Sequence, residues 1–120
     1  MKQIFVFGSN LAGIHGAGSA KYAYKHHHAI MGIGIGFQGN SYAIPTKDKK
    51  LKILSLSEIK KYVDEFLNFA KIHQEMQFDV VAIGCGLAGY RVKDIAYMFK
   101  NISKNIKLPK EFREELNVKK

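Results

Sequence analysis

The sequence predicts a small α/β domain, a three-layer αβα sandwich around a mostly parallel sheet, on three observations. Two apolar runs, IFVF (residues 4–7) and FDVVAI (78–83), have the β-branched and aromatic character of strands buried on both faces. Strand-like segments alternate with segments of helical periodicity, which makes connected strands parallel through right-handed crossovers. Both runs lead straight into glycine-rich loops, GSNLAGIHGAG and GCGLAGY. Ligands of such sheets sit outside the carboxyl ends of the strands, so the two loops should share one rim and enclose one cleft.

Each element follows from its local chemistry. The first strand stops at Gly8-Ser9-Asn10, and SAKYAYKHHHAI reads as a helix over about residues 17–28. Gly32, Gly34, Gly36 and Gly39 then mark a flexible stretch. SYAIPT (41–46) is a short strand, with Pro45 placing its end near the edge of regular pairing. The clearest helix runs from Ser57, read as its N-cap with Glu58 in the first turn, to about Ile72. Its apolar residues Ile59, Val63, Phe66 and Ala70 recur at helical spacing. A buried strand over 78–83 follows, then a short helix over 94–102. A last helix opens at Leu108-Pro109-Lys110, where proline is well tolerated.

Composition narrows the class. The 120 residues make one domain (1–120), with 47% apolar and 24% charged residues, as in ordinary soluble proteins. The longest apolar stretch, AIMGIGIGF, is too short to span a bilayer. MKQIFVFGSN lacks a signal-peptide pattern, and one cysteine allows no internal disulfide, so the expectation is a cytoplasmic protein. The formal charge of +9 attracts anions, yet the lysines are scattered, arginines number two, and no RNP motif or zinc-finger spacing occurs. Nucleic acid is thus a permitted partner that no motif indicates. His26, His27 and His28 are consecutive on a helix, about 100° apart, so they cannot converge on one metal. No metal or cofactor is expected, and the histidines with Lys25 should meet the helix dipole.

The two loops are candidates for anion binding. Successive amides in glycine loops form concavities for phosphate, and a helix N-terminus adds positive potential. Two such loops facing each other suit a diphosphate. GIHGAG has the spacing G-x-x-G-x-G, not the dinucleotide fingerprint, and no Walker lysine follows Gly18.

VFGSNLAGIHGAGSAKYA followed by IGCGLAGYRVKDIA resembles the macro domain, the fold that binds ADP-ribose. The form IGCGL and the strand SYAIPTKD are most similar to the branch of terminal ADP-ribose glycohydrolases and ADP-ribose-1″-phosphate phosphatases. The resemblance covers roughly residues 4–99, and the second loop is its most specific part. It implies a macro-like fold with a shortened N-terminal region and a cleft for ADP-ribose or a related nucleotide diphosphate. The binding residues would be Ser9, Asn10, Gly16, Ala17 and Gly18 in the first loop. In the second they would be Gly84, Cys85, Gly86, Leu87, Ala88, Gly89 and Tyr90. Lys47 matches the lysine that attacks the ribose C1″ in the glycohydrolase branch. Hydrolysis of an ADP-ribosyl ester or a 1″-phosphate is therefore one expectation, and a non-catalytic reader of a nucleotide signal is the other. Ala88 stands where the branch carries an aspartate, and no acidic adenine contact carries over.

Single residues have two readings each. Asn10 can bond the distal ribose or cap its own turn. His15 can touch a phosphate, act as acid or base, or be a loop residue. Tyr90 can stack on the ligand or pack in the core. Cys85 can be a thiol nucleophile at a helix N-terminus, though a buried structural cysteine fits its setting better. Asp94 prepares a helix or pairs with Arg91.

Overall fold

The structure is a computed structural model, and it describes residues 2–117. Its centre is a five-stranded sheet in the order β2-β3-β1-β4-β5. The strands are β1 (Lys2–Asn10), β2 (Gly36–Gln38), β3 (Ser41–Lys47), β4 (Met76–Val80) and β5 (Ile106–Lys107). All neighbours are parallel except the β2–β3 hairpin. The α/β class with a mostly parallel sheet is as expected from the alternation of strand and helix patterns. Among the described residues four helices accompany it, α1 (Gly18–His26), α2 (Leu56–Ile72), α3 (Val92–Ile95) and α4 (Lys110–Asn117), with a 3₁₀ turn over Ala96–Phe99.

Alternation along β1 divides the core. Ile4 and Val6 pack in one cluster with Ile59, Val63, Phe66 and Ala70 of α2, all fully buried. Phe7 points the other way, into a smaller cluster with Ala20 and Ala23 of α1 and Ala43 of β3. Alanine on both sides of that second contact lets α1 approach the sheet closely. Because β1, β3 and β4 are parallel, they end on the same rim. Asn10 at the end of β1 pairs with Lys47 at the end of β3.

Several boundaries differ from the sequence expectation. The N-cap of α2 is Ser55, not Ser57. Its Oγ accepts from the Glu58 amide at 3.2 Å while the Ser55 amide donates to Glu58 Oε1 at 3.1 Å. The capping pair S-x-x-E begins at Ser55, two residues earlier than the acidic first turn alone suggested. β4 ends at Val80 because Ile83 bonds back to the Val81 carbonyl at 2.8 Å, turning the chain out of the sheet. The helix expected over 94–102 is instead α3 plus the 3₁₀ turn, and Asn101 beyond it adopts φ 55°. Helix α1 stops at His26, since His28 is also left-handed, with φ 60°.

The stretch expected to be flexible around residues 32–39 is firmly tied. It contains β2, and the Gln38 side chain accepts from Ile30 N at 2.7 Å and donates to the Ile33 carbonyl at 2.9 Å. Gly34 is needed there, because a Cβ would lie 1.9 Å from the Asn10 carbonyl oxygen. Pro45 is tolerated in β3 because β2 pairs only as far as Ala43. β5 was not expected from sequence, being two residues long.

Candidate functional site

A cleft of about 800 Å³ opens at the shared rim of β1, β3 and β4. Both glycine-rich loops line it, the first through Asn10, Gly16, Ala17 and Gly18, the second through residues 84–88. The loops meet across it: a Cβ on Gly18 would lie 3.1 Å from Leu87 Cδ1. Gly18 and Gly84 also hold φ of 58° and 77°, and a Cβ on Gly84 would crowd Ile95 at 3.2 Å. The three glycines after β4 thus have separate causes. Gly84 turns the chain under α3, Gly89 holds φ 83°, and Gly86 is neither left-handed nor crowded and opens on the cleft.

The loops leave donors unused. In the second loop the amides of Cys85, Gly89 and Tyr90 bond to loop carbonyls. Those of Gly86, Leu87 and Ala88 donate to no backbone carbonyl among the described residues. In the first, Ala17 at the N-cap of α1 offers no side-chain cap, and the amides of Gly18, Ser19 and Ala20 likewise find no backbone acceptor. All six residues line the cleft. Unsatisfied amides at a helix start and in a glycine turn are what an anionic oxygen can fill. The Ser19 hydroxyl fixes this arrangement by accepting from the Gly8 amide at 3.3 Å, tying α1 to the end of β1.

The side chains divide into those that face the cleft and those that build it. Asn10 lines the cleft but clamps its own loop. Its Nδ2 donates to the Ile14 carbonyl at 2.8 Å and its Oδ1 accepts from the Ile14 amide at 3.0 Å. One N–H and one lone pair of that amide are left over. Ser9 is buried, and its hydroxyl donates to the Gly34 carbonyl. Thr46 Oγ1 donates to the Ser9 carbonyl at 3.3 Å, bracing β3 against β1 beside Lys47. Lys47 lines the cleft, with its backbone fixed by the Leu11 amide at 2.9 Å and by a bridge to Ile53.

Two candidates turn inward, and a third has the wrong chemistry. His15 does not line the cleft. It is 1% exposed, its ring stands edge-on to Phe7, and Nε2 lies 2.9 Å from the Ile30 carbonyl. That acceptor assigns the proton to Nε2 and leaves Nδ1 buried without a partner among the described residues. Tyr90 packs against the main core, and its hydroxyl donates to the Leu54 carbonyl at 2.6 Å. It and Gly89 lie outside the lining. Cys85 is in the cleft wall, but burial raises its thiol pKa, with the charges of Glu111 and Asp94 adding to the shift. A nucleophilic cysteine needs the opposite shift. Asp94 serves its helix, Oδ2 accepting from the Arg91 amide at 3.1 Å.

Sequence reasoning missed Glu111, from the first turn of α4, which also lines the cleft. No local pattern links it to loops that precede it by some twenty residues or more. It also missed Gly8, Ile14, Thr46, Leu51 and Val92 in the wall. Thr46 had a signal, as the neighbour of Lys47 at a strand end. No three His, Cys, Asp or Glu side chains converge among the described residues. His26 and His27 pack on aromatic rings, His26 with its centroid 4.7 Å from Tyr22, and His27 4.4 Å from Phe5 and 5.4 Å from Tyr22. No described helix is long and apolar enough to cross a membrane. The chain matches no protein-family model, no curated protein and no solved structure.

Proposed function

We propose that the protein binds ADP-ribose, or a closely related nucleotide diphosphate, between its two glycine-rich loops, on a shortened macro-like αβα sandwich. The observation that supports this most is the pairing of two strand-end loops, each with a run of unused amides, across one cleft. A diphosphate presents oxygens on both sides, so it can accept from both loops at once. The volume of about 800 Å³ lies in the range of small-molecule sites. Lys47 adds a cation to the wall.

A second reading, hydrolysis at the ribose C1″ of an ester or 1″-phosphate, rests on Lys47 in that wall. Lys47 would act there as nucleophile or as electrostatic stabiliser. The reading without turnover rests on Ala88 in the second loop and on the raised thiol pKa of Cys85.

Calorimetric titration with ADP-ribose tests the reading, with Gly86→Glu as the blocked cleft. A Cβ at Gly86 would meet no heavy atom within 4 Å, and the residue has no left-handed φ, so the variant should keep its thermal midpoint. The new side chain would bring bulk and a negative charge to the second loop. Micromolar binding that falls at least tenfold in Gly86→Glu is expected. A folded wild-type protein that leaves ADP-ribose unbound would sink ADP-ribose as the ligand.

A further inference from the structure

Among the described residues, the cleft wall carries two formal charges, and separate elements supply them. Lys47 ends β3, on one side of β1. Glu111 belongs to α4, which follows β5 and packs on α3 and the 3₁₀ turn. Its charge reaches Cys85, in the loop after β4. Cation and carboxylate therefore reach the wall from different elements, the end of β3 and the first turn of α4.

Other carboxylates near this rim have partners. Asp48 accepts from the Lys50 and Lys52 amides, Glu58 from Ser55, and Asp94 from Arg91. Glu111 makes no hydrogen bond or ion pair to another described side chain. An acceptor-only group facing a ligand that carries phosphates repels them and attracts hydroxyl donors.

We propose that Glu111 is a specificity-determining residue of this cleft, accepting the hydroxyls of a ribose and rejecting a ligand phosphorylated at that ribose. This rests on the ADP-ribose reading. It narrows the ligand class to nucleotide diphosphates whose ribose beside α4 bears free hydroxyls. Lys47 and the loop amides take the diphosphate, and the carboxylate sets which way round the ligand lies. If the ribose beside Glu111 is the distal one, a 1″-phosphate is disfavoured and an ester of ADP-ribose is the better fit.

The test compares three ligands by calorimetry: ADP-ribose, its 2′-phosphate and its 1″-phosphate. Wild-type protein, Glu111→Gln and the control Glu114→Gln are titrated with each. Glu111 and Glu114 are both exposed, so neither substitution should disturb folding, and Glu114 does not line the cleft. Wild type should bind one phosphorylated form roughly tenfold or more weakly than ADP-ribose, the scale of one close charge repulsion. Glu111→Gln should remove that preference by gaining affinity for the phosphorylated form, and Glu114→Gln should leave it in place. Whichever phosphate is rejected identifies the ribose beside α4. Equal wild-type affinity for all three ligands, or a preference that survives in Glu111→Gln, overturns the proposal and leaves the ADP-ribose reading standing. No wild-type binding of any of the three would instead remove the reading itself.

Discussion

Buried polar side chains mostly hold backbone, and this changes which single residues can carry function. Ser9, His15 and Gln38 are buried and each bonds a carbonyl of the segment after α1. Asn10 holds residue 14, and Tyr90 holds residue 54. What remains for a ligand is chiefly backbone amides, Lys47 and Glu111. Tyr42 shows how burial moves a titration. It is 6% exposed, packed against Phe66 and Phe69, and its pKa is pushed up to about 12 by burial, with Glu65 adding to it. The folded state therefore keeps its phenolic proton above the ordinary value of 10.0. Its contribution to stability is full below pH 10 and is lost as the pH rises toward 12. Two units correspond to about 3 kcal/mol at most. Denaturant unfolding at pH 9 and pH 11 should show wild type losing more stability than Tyr42→Phe over that interval. Parallel losses in both proteins would show that Tyr42 does not contribute.

At the scale of elements, α2 is the best-specified part of the chain and its start is a sharp test. Ser55 and Glu58 satisfy each other's backbone amides, so Ser55→Ala should cost about 1 kcal/mol. Calorimetry should show a fall of about 4 °C in Tm for a domain of this size. Ser57→Ala should change little, because Ser57 Oγ meets only Ser55 Oγ, at 3.2 Å. A larger fall in Ser57→Ala would reverse the cap assignment. The strands and α2 were legible because their apolar periods, two and 3.6, are local properties of the sequence. Their ends were less so: the early stop of β4 depends on a turn at Val81–Ile83 that an apolar run conceals. β5 was invisible because two residues carry no period. It is held through its neighbour Asn105, whose buried side chain donates toward the carbonyls of Ala70, His73 and Met76. The two loops were legible as a pair because both follow buried strands. Glu111 was not, because only the tertiary path of α4 brings it there.

The whole molecule is cationic, with 19 basic against 10 acidic residues, yet among the described residues the cleft wall itself carries one charge of each sign. Long-range attraction and site chemistry are therefore separable. A scattered positive surface draws in any polyanion, and binding of that kind falls steeply with salt because each neutralised phosphate releases a counterion. Six or more such contacts reduce affinity by about 10³-fold or more between 50 and 200 mM salt. A diphosphate held by amides and one lysine has two charges to neutralise. Its affinity should fall only about tenfold over the same range, by the same counterion argument. Titrations of ADP-ribose and of a single-stranded oligonucleotide at both salt concentrations distinguish these cases. The cleft reading expects a shallow slope for ADP-ribose and, in Gly86→Glu, an oligonucleotide affinity that is unchanged. A steep slope for ADP-ribose would assign its binding to the basic surface, and the two loops would then be turns without a ligand. Loss of oligonucleotide binding in Gly86→Glu would place nucleic acid in the cleft itself, making the strand-end loops a site for a polymer's phosphates.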